Sequence, residues 1–206
     1  MTCVVFLADG FEEVEALTPV DYLRRAGQEV YTVAVPSETM NDPYIVIGSH
    51  KIPVIADMSI EEYREQFTGQ CPDLIFCPGG MNGSANLALS LDVGDAIKRS
   101  DGQKKLIAAI CAAPAVVLAK AGVLTSKNWT CYPGMENDVA KYVGDAALSE
   151  NLMKNSTHHR NVPFVTDHNI ITGRGAGAAE QFAMELVRLT AGEEVYAKVK
   201  AATVQR

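Results

Sequence analysis

The residue best placed for chemistry in this sequence is Cys111. The apolar run Lys105–Ile110 leads directly to it, and Ala112, Ala113 and Pro114 follow. A strand that ends in a reactive side chain with small neighbours is typical of a nucleophile elbow, where a tight turn holds the side chain above the sheet. A helix that begins there supplies free N–H groups and a partial positive charge, which favour a thiolate and lower the pKa of the thiol. Because most free cysteines are buried and inert, this pattern alone leaves both interpretations open.

Backbone groups near Cys111 could bind a negatively charged oxygen. Gly79 and Gly80 follow the predicted strand Leu74–Cys77. Their N–H groups, together with that of Ala112, could form an oxyanion hole. An ordinary turn at the end of a strand would have the same sequence, so the residues themselves do not choose between the two.

Three carboxylates, Glu12, Glu13 and Glu15, lie in the first turn of a predicted helix. Negative charge is favourable at a helix N-terminus. From the residues alone, all three are therefore most simply solvated surface groups.

Two other patterns are weaker. Gly173-x-Gly175-x-x-Ala178 matches a dinucleotide fingerprint, but we reject that interpretation because no further strand follows to supply the acidic ribose ligand. His158 and His159 fall in the polar segment Asn155–Asn161 and are predicted to be solvated. Because no histidine has metal-ligand spacing with an acidic or thiol residue, we predict no metal site.

The elements that would position these residues alternate between strand and helix. Predicted strands are Thr2–Ala8, Gln28–Val35, Leu74–Cys77, Lys105–Ile110, Phe164–Thr166 and Ile170–Thr172, with a hairpin of Tyr44–Ile47 and Lys51–Ile55. Predicted helices are Glu12–Ala26, Ile60–Phe67, Val93–Arg99, Ala112–Ala121 and a last long helix that ends near Leu189. This alternation predicts a single α/β domain over residues 1–206, with a doubly wound, flavodoxin-like, mainly parallel sheet and helices on both faces. The turns that follow its strands should gather at one edge, where such sheets bind ligands.

The composition of the chain indicates which classes of protein it can belong to. The net charge is −7 and no basic stretch stands out, which predicts no dedicated nucleic-acid site. No apolar run approaches the ~20 residues that span a bilayer, and the N-terminus has no basic leader. The five cysteines have no CxxC spacing, which fits a reducing compartment without disulfides. We therefore expect a cytoplasmic protein.

Several segments together resemble the DJ-1/ThiJ/PfpI family, on its DJ-1-like branch, which has a class I glutamine amidotransferase-like fold. The segments are Ala8-Asp-Gly-Phe-Glu-Glu-Val-Glu15, Pro19-Val-Asp21, Arg24-Arg-Ala-Gly27, Cys77-Pro-Gly-Gly80, Ala108-Ala-Ile-Cys-Ala-Ala-Pro114 and Thr172-Gly-Arg-Gly-Ala-Gly177. The resemblance implies that Cys111 is the nucleophile and that Glu15 is a protonated partner of its sulfur. It also implies that the loop with Arg174 and Gly175 borders the cysteine pocket.

Four positions depart from residues common in that family. Ala112 stands where peptidase-like branches have a histidine, so a protease mechanism lacks its base. Tyr132 stands where some relatives have a histidine, and a tyrosine is a weaker base. Ala176 replaces a usual proline, and His50 replaces a common arginine near the dimer contact and the mouth of the pocket.

The resemblance implies two alternative functions. The first is an enzyme that converts α-oxoaldehydes such as methylglyoxal to hydroxy acids, a glyoxalase III-type reaction. A related activity is that of a deglycase, which removes early methylglyoxal adducts. The enzyme would need no glutathione, metal or nucleotide. The second is a non-enzymatic redox sensor or chaperone in which Cys111 is oxidised to a sulfinic acid. The resemblance also implies a homodimer formed by Tyr44–Ile55 and Glu15–Ala26.

Overall fold

The computed structural model describes residues 1–37 and 42–205. Its strands are β1 (Thr2–Leu7), β2 (Glu29–Ala34), β3 (Ile45–Ile47), β4 (Pro53–Ile55), β5 (Met58–Ser59), β6 (Leu74–Cys77), β7 (Leu106–Ile110), β8 (Asn128–Trp129), β9 (Thr157–His158), β10 (Phe164–Asp167) and β11 (Ile170–Gly173). Its α-helices are α1 (Glu13–Arg25), α2 (Ile60–Gln66), α3 (Met81–Leu89), α4 (Leu91–Gly102), α5 (Ala119–Ala121), α6 (Val139–Val143), α7 (Ala146–Asn155) and α8 (Ala179–Ala202).

Seven strands form the central sheet, in the order β10-β11-β7-β6-β1-β2-β5. All neighbouring strands are parallel except β10 and β11, which form an antiparallel pair. The predicted mainly parallel α/β sheet is therefore confirmed. The predicted hairpin is also confirmed, because β3 and β4 pair antiparallel outside the central sheet.

Helices cover both faces of the sheet because its central strands are apolar on both sides. Along β1, Val4 and Phe6 belong to one buried cluster and Cys3, Val5 and Leu7 to the other. The first cluster includes residues of α2 to α6 and the second includes residues of α1 and α8. No helix within the described ranges is both long and apolar enough to cross a membrane.

The turns that follow the strands meet at one edge, as predicted. The N–H of Glu12, just after β1, donates to the carbonyl of Gly79 after β6 (3.0 Å). The N–H of Cys111, just after β7, donates to the carbonyl of Gly173 at the end of β11 (2.9 Å). These bonds join the turns in two pairs, and the pairs meet where Gly79 approaches Cys111.

Two helix predictions need correction. The segment that follows Cys111 is not one regular helix, because Pro114–Leu118 forms a π-helical turn before α5. The last helix extends past Leu189 to Ala202, but it consists of two helical stretches that meet at Gly192, whose φ of 82° is not helical. Glycine adopts that φ without steric cost, which allows the two stretches to meet there.

The prediction missed elements whose sequences favour other structures. Gly83, Ser84 and Asn86 have low helix propensity, yet they lie in α3, which packs against the sheet through the fully buried Leu87 and Ser84. The two-residue strands β8 and β9 pair with each other and are too short to be recognised from periodicity.

Candidate active site

Cys111 occupies a strained turn at the end of β7. Its φ of 62° places it in the left-handed region, which costs a non-glycine residue about 1–2 kcal/mol. Its N–H is bound by Gly173, and its carbonyl accepts from the N–H of Tyr132 (2.8 Å). Ala112 and Ala113 are buried directly behind it. The chain therefore forms a nucleophile elbow here, and the side chain of Cys111 remains partly exposed.

Glu15 projects from the first turn of α1 into the space beside Cys111 and is fully buried. The Cys111 thiol and the N–H groups of Gly79 and Ala176 face its carboxyl group and oppose a rise of its pKa. Neither carboxyl oxygen makes a hydrogen bond of good geometry with any residue that the structure describes. Burial therefore prevails and raises the pKa of Glu15 to about 7. The interpretation of Glu15 as a solvated carboxylate is wrong.

Glycine is required at position 79 for this pair to form. A Cβ atom on Gly79 would overlap Oε2 of Glu15 and lie 2.5 Å from Cβ of Cys111. Gly80 has a φ of 84°, and a Cβ there would overlap the carbonyl of Gly10. The two glycines therefore allow three loops to approach one another closely.

The three N–H groups that were expected to form an oxyanion hole do not all face the same reactive group. The N–H groups of Gly80 and Ala112 lie close enough to the sulfur of Cys111 to lower the pKa of the thiol. The N–H of Gly79 faces Glu15 instead. Two of the three predicted donors are therefore available at the sulfur.

The pKa of Cys111 differs from the sequence prediction. Burial first, and then the negative charge of the neighbouring Glu15, raise it to about 12, against the opposing effect of Gly80 and Ala112. The expected low pKa of a thiolate at a helix N-terminus is therefore wrong, and burial is the main reason. A proton on Glu15 removes the repulsion but not the effect of burial, so the pKa values of the two groups depend on each other.

The loop that contains Arg174 and Gly175 lies over Glu15. A Cβ on Gly175 would be 3.9 Å from Oε1 of Glu15 and 3.6 Å from Cδ2 of Tyr132. Tyr132 is 54% exposed, and Nη2 of Arg174 donates to Oδ1 of Asn161 (3.2 Å). Tyr132, Arg174 and Gly175 line an open cavity of about 570 Å³. The cavity thus reaches the loop that covers the buried carboxyl group.

A second acidic group at the start of α1 was missed. Glu13 is 5% exposed, and its Oε2 lies 2.9 Å from Nδ1 of His50. Its burial alone would raise its pKa, but hydrogen bonds from His50, its own N–H and Ser49 outweigh burial and lower the pKa to about 2. The prediction that Glu13 is solvated is wrong. The ion pair with His50 holds hairpin β3–β4 against α1, and no local sequence signal reveals it.

The prediction that His158 is solvated is also wrong. The side chain of His158 is only 13% exposed, and its ring packs edge-on against Trp129 at 4.9 Å. Burial lowers the pKa of His158. Nε2 of His159 lies 2.8 Å from Oδ1 of Asn128. The pairing of β8 with β9 brings these residues together.

Comparisons with known proteins identify the family of this fold. The DJ-1/PfpI family matches residues 1–189. A Parkinson disease protein 7 homolog of Danio rerio is 35% identical, over 96% of this chain and 94% of its own length. A protein of Pyrococcus abyssi that is named a deglycase is 26% identical, over 92% of this chain and 99% of its own length.

A solved structure extends the comparison to three dimensions. A mutant of a DJ-1 superfamily protein from Salmonella typhimurium has a TM-score of 0.81 and 31% identity, covering 98% of this chain and 97% of that chain. With an elbow cysteine, a buried glutamate and a family match over most of its length, this chain belongs to the DJ-1/PfpI family.

Proposed function

We propose that the protein converts methylglyoxal and glyoxal to hydroxy acids by glutathione-independent chemistry at Cys111, and that it thereby protects against carbonyl stress. One observation carries the proposal: a fully buried carboxyl group with a pKa of about 7 faces a partly exposed elbow cysteine. A group that titrates near neutral pH can both give and take a proton during one reaction cycle. The relative from Pyrococcus abyssi named a deglycase supports carbonyl-adduct chemistry of the same class.

The first step forms a bond between sulfur and carbon. The Cys111 sulfur attacks the aldehyde carbon of methylglyoxal, and the thiol proton passes through Glu15 to the new alkoxide oxygen. The product is a hemithioacetal. The N–H groups of Gly80 and Ala112, which face the sulfur, are available to stabilise the developing oxyanion.

The second step moves a proton between neighbouring carbons. Ionised Glu15 removes the C–H proton from the hemithioacetal carbon, which gives an enediol, and returns it to the adjacent carbon. The result is a lactate thioester of Cys111. Water then hydrolyses the thioester and releases lactate and the thiol. The sum is methylglyoxal plus water giving lactic acid, so one carbon is oxidised while its neighbour is reduced and no external oxidant enters.

Tyr132 has a supporting role in this proposal. It borders the open cavity through which a small aldehyde could approach. Its phenol is a weaker general base than a carboxylate that titrates near neutral pH, but its hydroxyl can donate a hydrogen bond to a substrate carbonyl. We therefore assign proton transfer to Glu15 and orientation to Tyr132.

The test measures lactate formed from methylglyoxal by purified wild-type protein, Cys111→Ser, Glu15→Gln and Tyr132→Phe. We expect no turnover with Cys111→Ser, a ~10²–10⁴-fold loss of kcat with Glu15→Gln, and measurable turnover with Tyr132→Phe. Full activity in Cys111→Ser would refute the proposal. An adduct purified away from free methylglyoxal, incubated with the same proteins, separates deglycation from removal of the free aldehyde.

Redox sensing is the second candidate. Cys111 and Cys71 are partly exposed, whereas Cys3, Cys77 and Cys131 are buried. Two equivalents of peroxide would convert the Cys111 thiol to a sulfinic acid and release two water molecules. Peptide mass spectrometry after mild peroxide should place the two oxygens on Cys111 first. Preferential oxidation of Cys71, together with methylglyoxal turnover, would leave only the enzymatic proposal.

A further inference from the structure

A second group of chemically active side chains lies next to the elbow but outside the proposed mechanism. Its members are Cys131, Glu136 and His158, and one ligand atom from each lies within 4.8 Å of the others. Cys131 immediately precedes Tyr132, whose N–H binds the carbonyl of Cys111. The group therefore shares a short stretch of backbone with the elbow.

The pairing of β8 with β9 assembles this group from separate parts of the chain. Trp129 and His158 are partners in that pairing, so Cys131 and His158 lie close together although 27 residues separate them. Cys131 is 1% exposed and Glu136 is 7% exposed. Such burial distinguishes the group from the exposed clusters of acidic residues that are common on protein surfaces.

The distance between the sulfur and the imidazole fits a bound metal ion. Sγ of Cys131 lies 3.6 Å from Nε2 of His158. A tetrahedral zinc ion with a Zn–S bond of ~2.3 Å and a Zn–N bond of ~2.0–2.1 Å holds these two atoms about 3.6 Å apart. The carboxylate is positioned by its other oxygen, because the N–H of Gly134 donates to Oε2 of Glu136 (2.7 Å). A ligand with an outer hydrogen bond of this kind keeps its orientation when it binds a metal.

The group lines a partly open cavity together with the buried side chain of Thr130. Cys131, Glu136, His158 and Thr130 all line a cavity of about 290 Å³. Thr130 is 1% exposed, and its Oγ1 has no hydrogen-bond partner among the described residues. Buried hydroxyl groups are normally satisfied. A metal-bound water in the cavity, or a metal-bound thiolate, would give this hydroxyl its missing partner.

The charges also balance when a divalent cation is present. A thiolate and a carboxylate contribute two negative charges, the imidazole contributes none, and a divalent cation neutralises the set. Nε of Arg160 now lies 3.2 Å from Oε1 of Glu136, but the Arg160 side chain is 72% exposed. It can turn into solvent at little cost when a cation takes its place.

We propose that Cys131, Glu136 and His158 bind a divalent cation of the zinc class, with a fourth coordination position open to the cavity. The mixed set of sulfur, nitrogen and oxygen ligands selects zinc-like ions over magnesium and calcium, which prefer oxygen ligands alone. This site is independent of the reaction proposed for Cys111.

Cobalt titration tests the site directly. Metal-free Cys111→Ser protein is titrated with Co²⁺, so that the elbow sulfur cannot contribute. We expect one Co²⁺ per chain, a thiolate-to-cobalt charge-transfer band and the intense visible bands of four-coordinate cobalt. Added Zn²⁺ should displace the cobalt and abolish the bands, whereas Mg²⁺ should not.

Variants in the same Cys111→Ser background assign the ligands. Cys131→Ser should abolish the charge-transfer band, and His158→Gln should weaken Zn²⁺ binding at least ~10-fold. His159→Gln is the matched control and should bind as the parent does, because that ring contacts Asn128. Circular dichroism establishes whether each variant is folded. If Cys131→Ser does not fold, the binding measurement on His158→Gln tests the proposal. Three results would overturn the proposal. The charge-transfer band survives in Cys131→Ser, His158→Gln and His159→Gln weaken Zn²⁺ binding equally, or the parent shows no cobalt bands.

Discussion

At the scale of single residues, the chemistry of this protein depends on one proton shared between Glu15 and Cys111. Burial raises the pKa of both groups, so the site resists holding two negative charges. The form with one proton can exist as thiol and carboxylate or as thiolate and carboxylic acid. The second arrangement is the nucleophile, and it is available only after the doubly protonated pair loses its first proton.

The pH dependence of turnover should follow that first proton. We expect kcat/KM for methylglyoxal to rise between pH 5 and pH 8 with an apparent pKa near 7, because Glu15 is the first of the pair to ionise. In Glu15→Gln this rise should be absent, since the amide does not titrate. A wild-type profile that is flat from pH 5 to 8, or an unchanged rise in Glu15→Gln, would assign the proton to another group.

The same pKa predicts an effect on folding stability. The folded protein retains the Glu15 proton between pH 4.5 and about 7, where the unfolded chain has already released it. The free energy of unfolding therefore falls as the pH rises through this interval, by up to about 3 kcal/mol. Glu15→Gln should remove this loss, so that the variant is more stable than wild type at pH 8 but not at pH 4. Urea unfolding at both pH values measures the free energy of unfolding, and Glu65→Gln at an exposed position is the control. If both variants changed the pH dependence of this free energy equally, the prediction would be contradicted.

Ala176 gives the site a donor that a proline could not supply. Its N–H faces Glu15 and lowers the pKa of that carboxyl group. The position is the first residue of the short helical turn Ala176–Ala178, and Gly175 before it is extended, so a proline fits the backbone. Ala176→Pro should therefore fold normally and shift the rise in kcat/KM to higher pH. Ala178→Pro is not a suitable control, because the N–H of Ala178 donates to the carbonyl of Gly175. The control is Gly177→Ala at an exposed position, and this variant should leave the pH profile of kcat/KM unchanged.

Sequence reasoning succeeded at the residue scale where a motif was continuous. Cys111 and the glycines at 79 and 80 lie within short segments whose spacing indicates a turn, and the structure has those turns. The burial of Glu13 and the contact of His158 with Cys131 depend on residues about 27 to 37 positions away. Nothing in the local pattern encodes such contacts.

At the scale of elements, the site depends on the close approach of loops that end neighbouring strands. β7 lies between β11 and β6 in the middle of the sheet, so the elbow has a loop on each side. The sequence predicted these strands because continuous apolar runs mark buried parallel strands. It missed α3 because tertiary packing overrides its low helix propensity. It missed the π-helical turn because the buried apolar run Pro114–Leu118 does not distinguish a π-helical turn from an α-helical one.

Gly79→Ala tests the requirement for close approach. The added methyl group would collide with both Glu15 and Cys111, so we expect loss of turnover and a destabilisation of about 1–3 kcal/mol. Gly94→Ala is the matched control. It lies inside α4 with nothing within 4 Å of the added Cβ and should stabilise the protein by about 0.5–1 kcal/mol. Thermal unfolding and the lactate assay measure both effects, and an active, stable Gly79→Ala protein would show that the loops have room to separate.

At the scale of the whole molecule, the hairpin β3–β4 presents apolar side chains that the chain itself does not cover. Ile52 and Ile55 are 51% and 76% exposed, and Val14 on the neighbouring helix α1 is 52% exposed. Ile55 pairs directly with Ile45, which is also exposed. The ion pair between Glu13 and His50 lies between the hairpin and α1, so these exposed side chains belong to neighbouring elements.

We predict that this surface joins two copies of the chain in a C2 dimer, as the family resemblance implies. Sedimentation at micromolar concentration should give twice the 22.2 kDa mass of the chain. Ile55→Glu should shift the equilibrium toward the monomer, because the dimer would bury a charge without a partner. Leu91→Glu replaces a side chain that is 84% exposed at the start of α4, away from the hairpin, and should remain dimeric. A wild-type protein that sediments as a stable monomer, or a monomer produced equally by both substitutions, would exclude the hairpin as the interface.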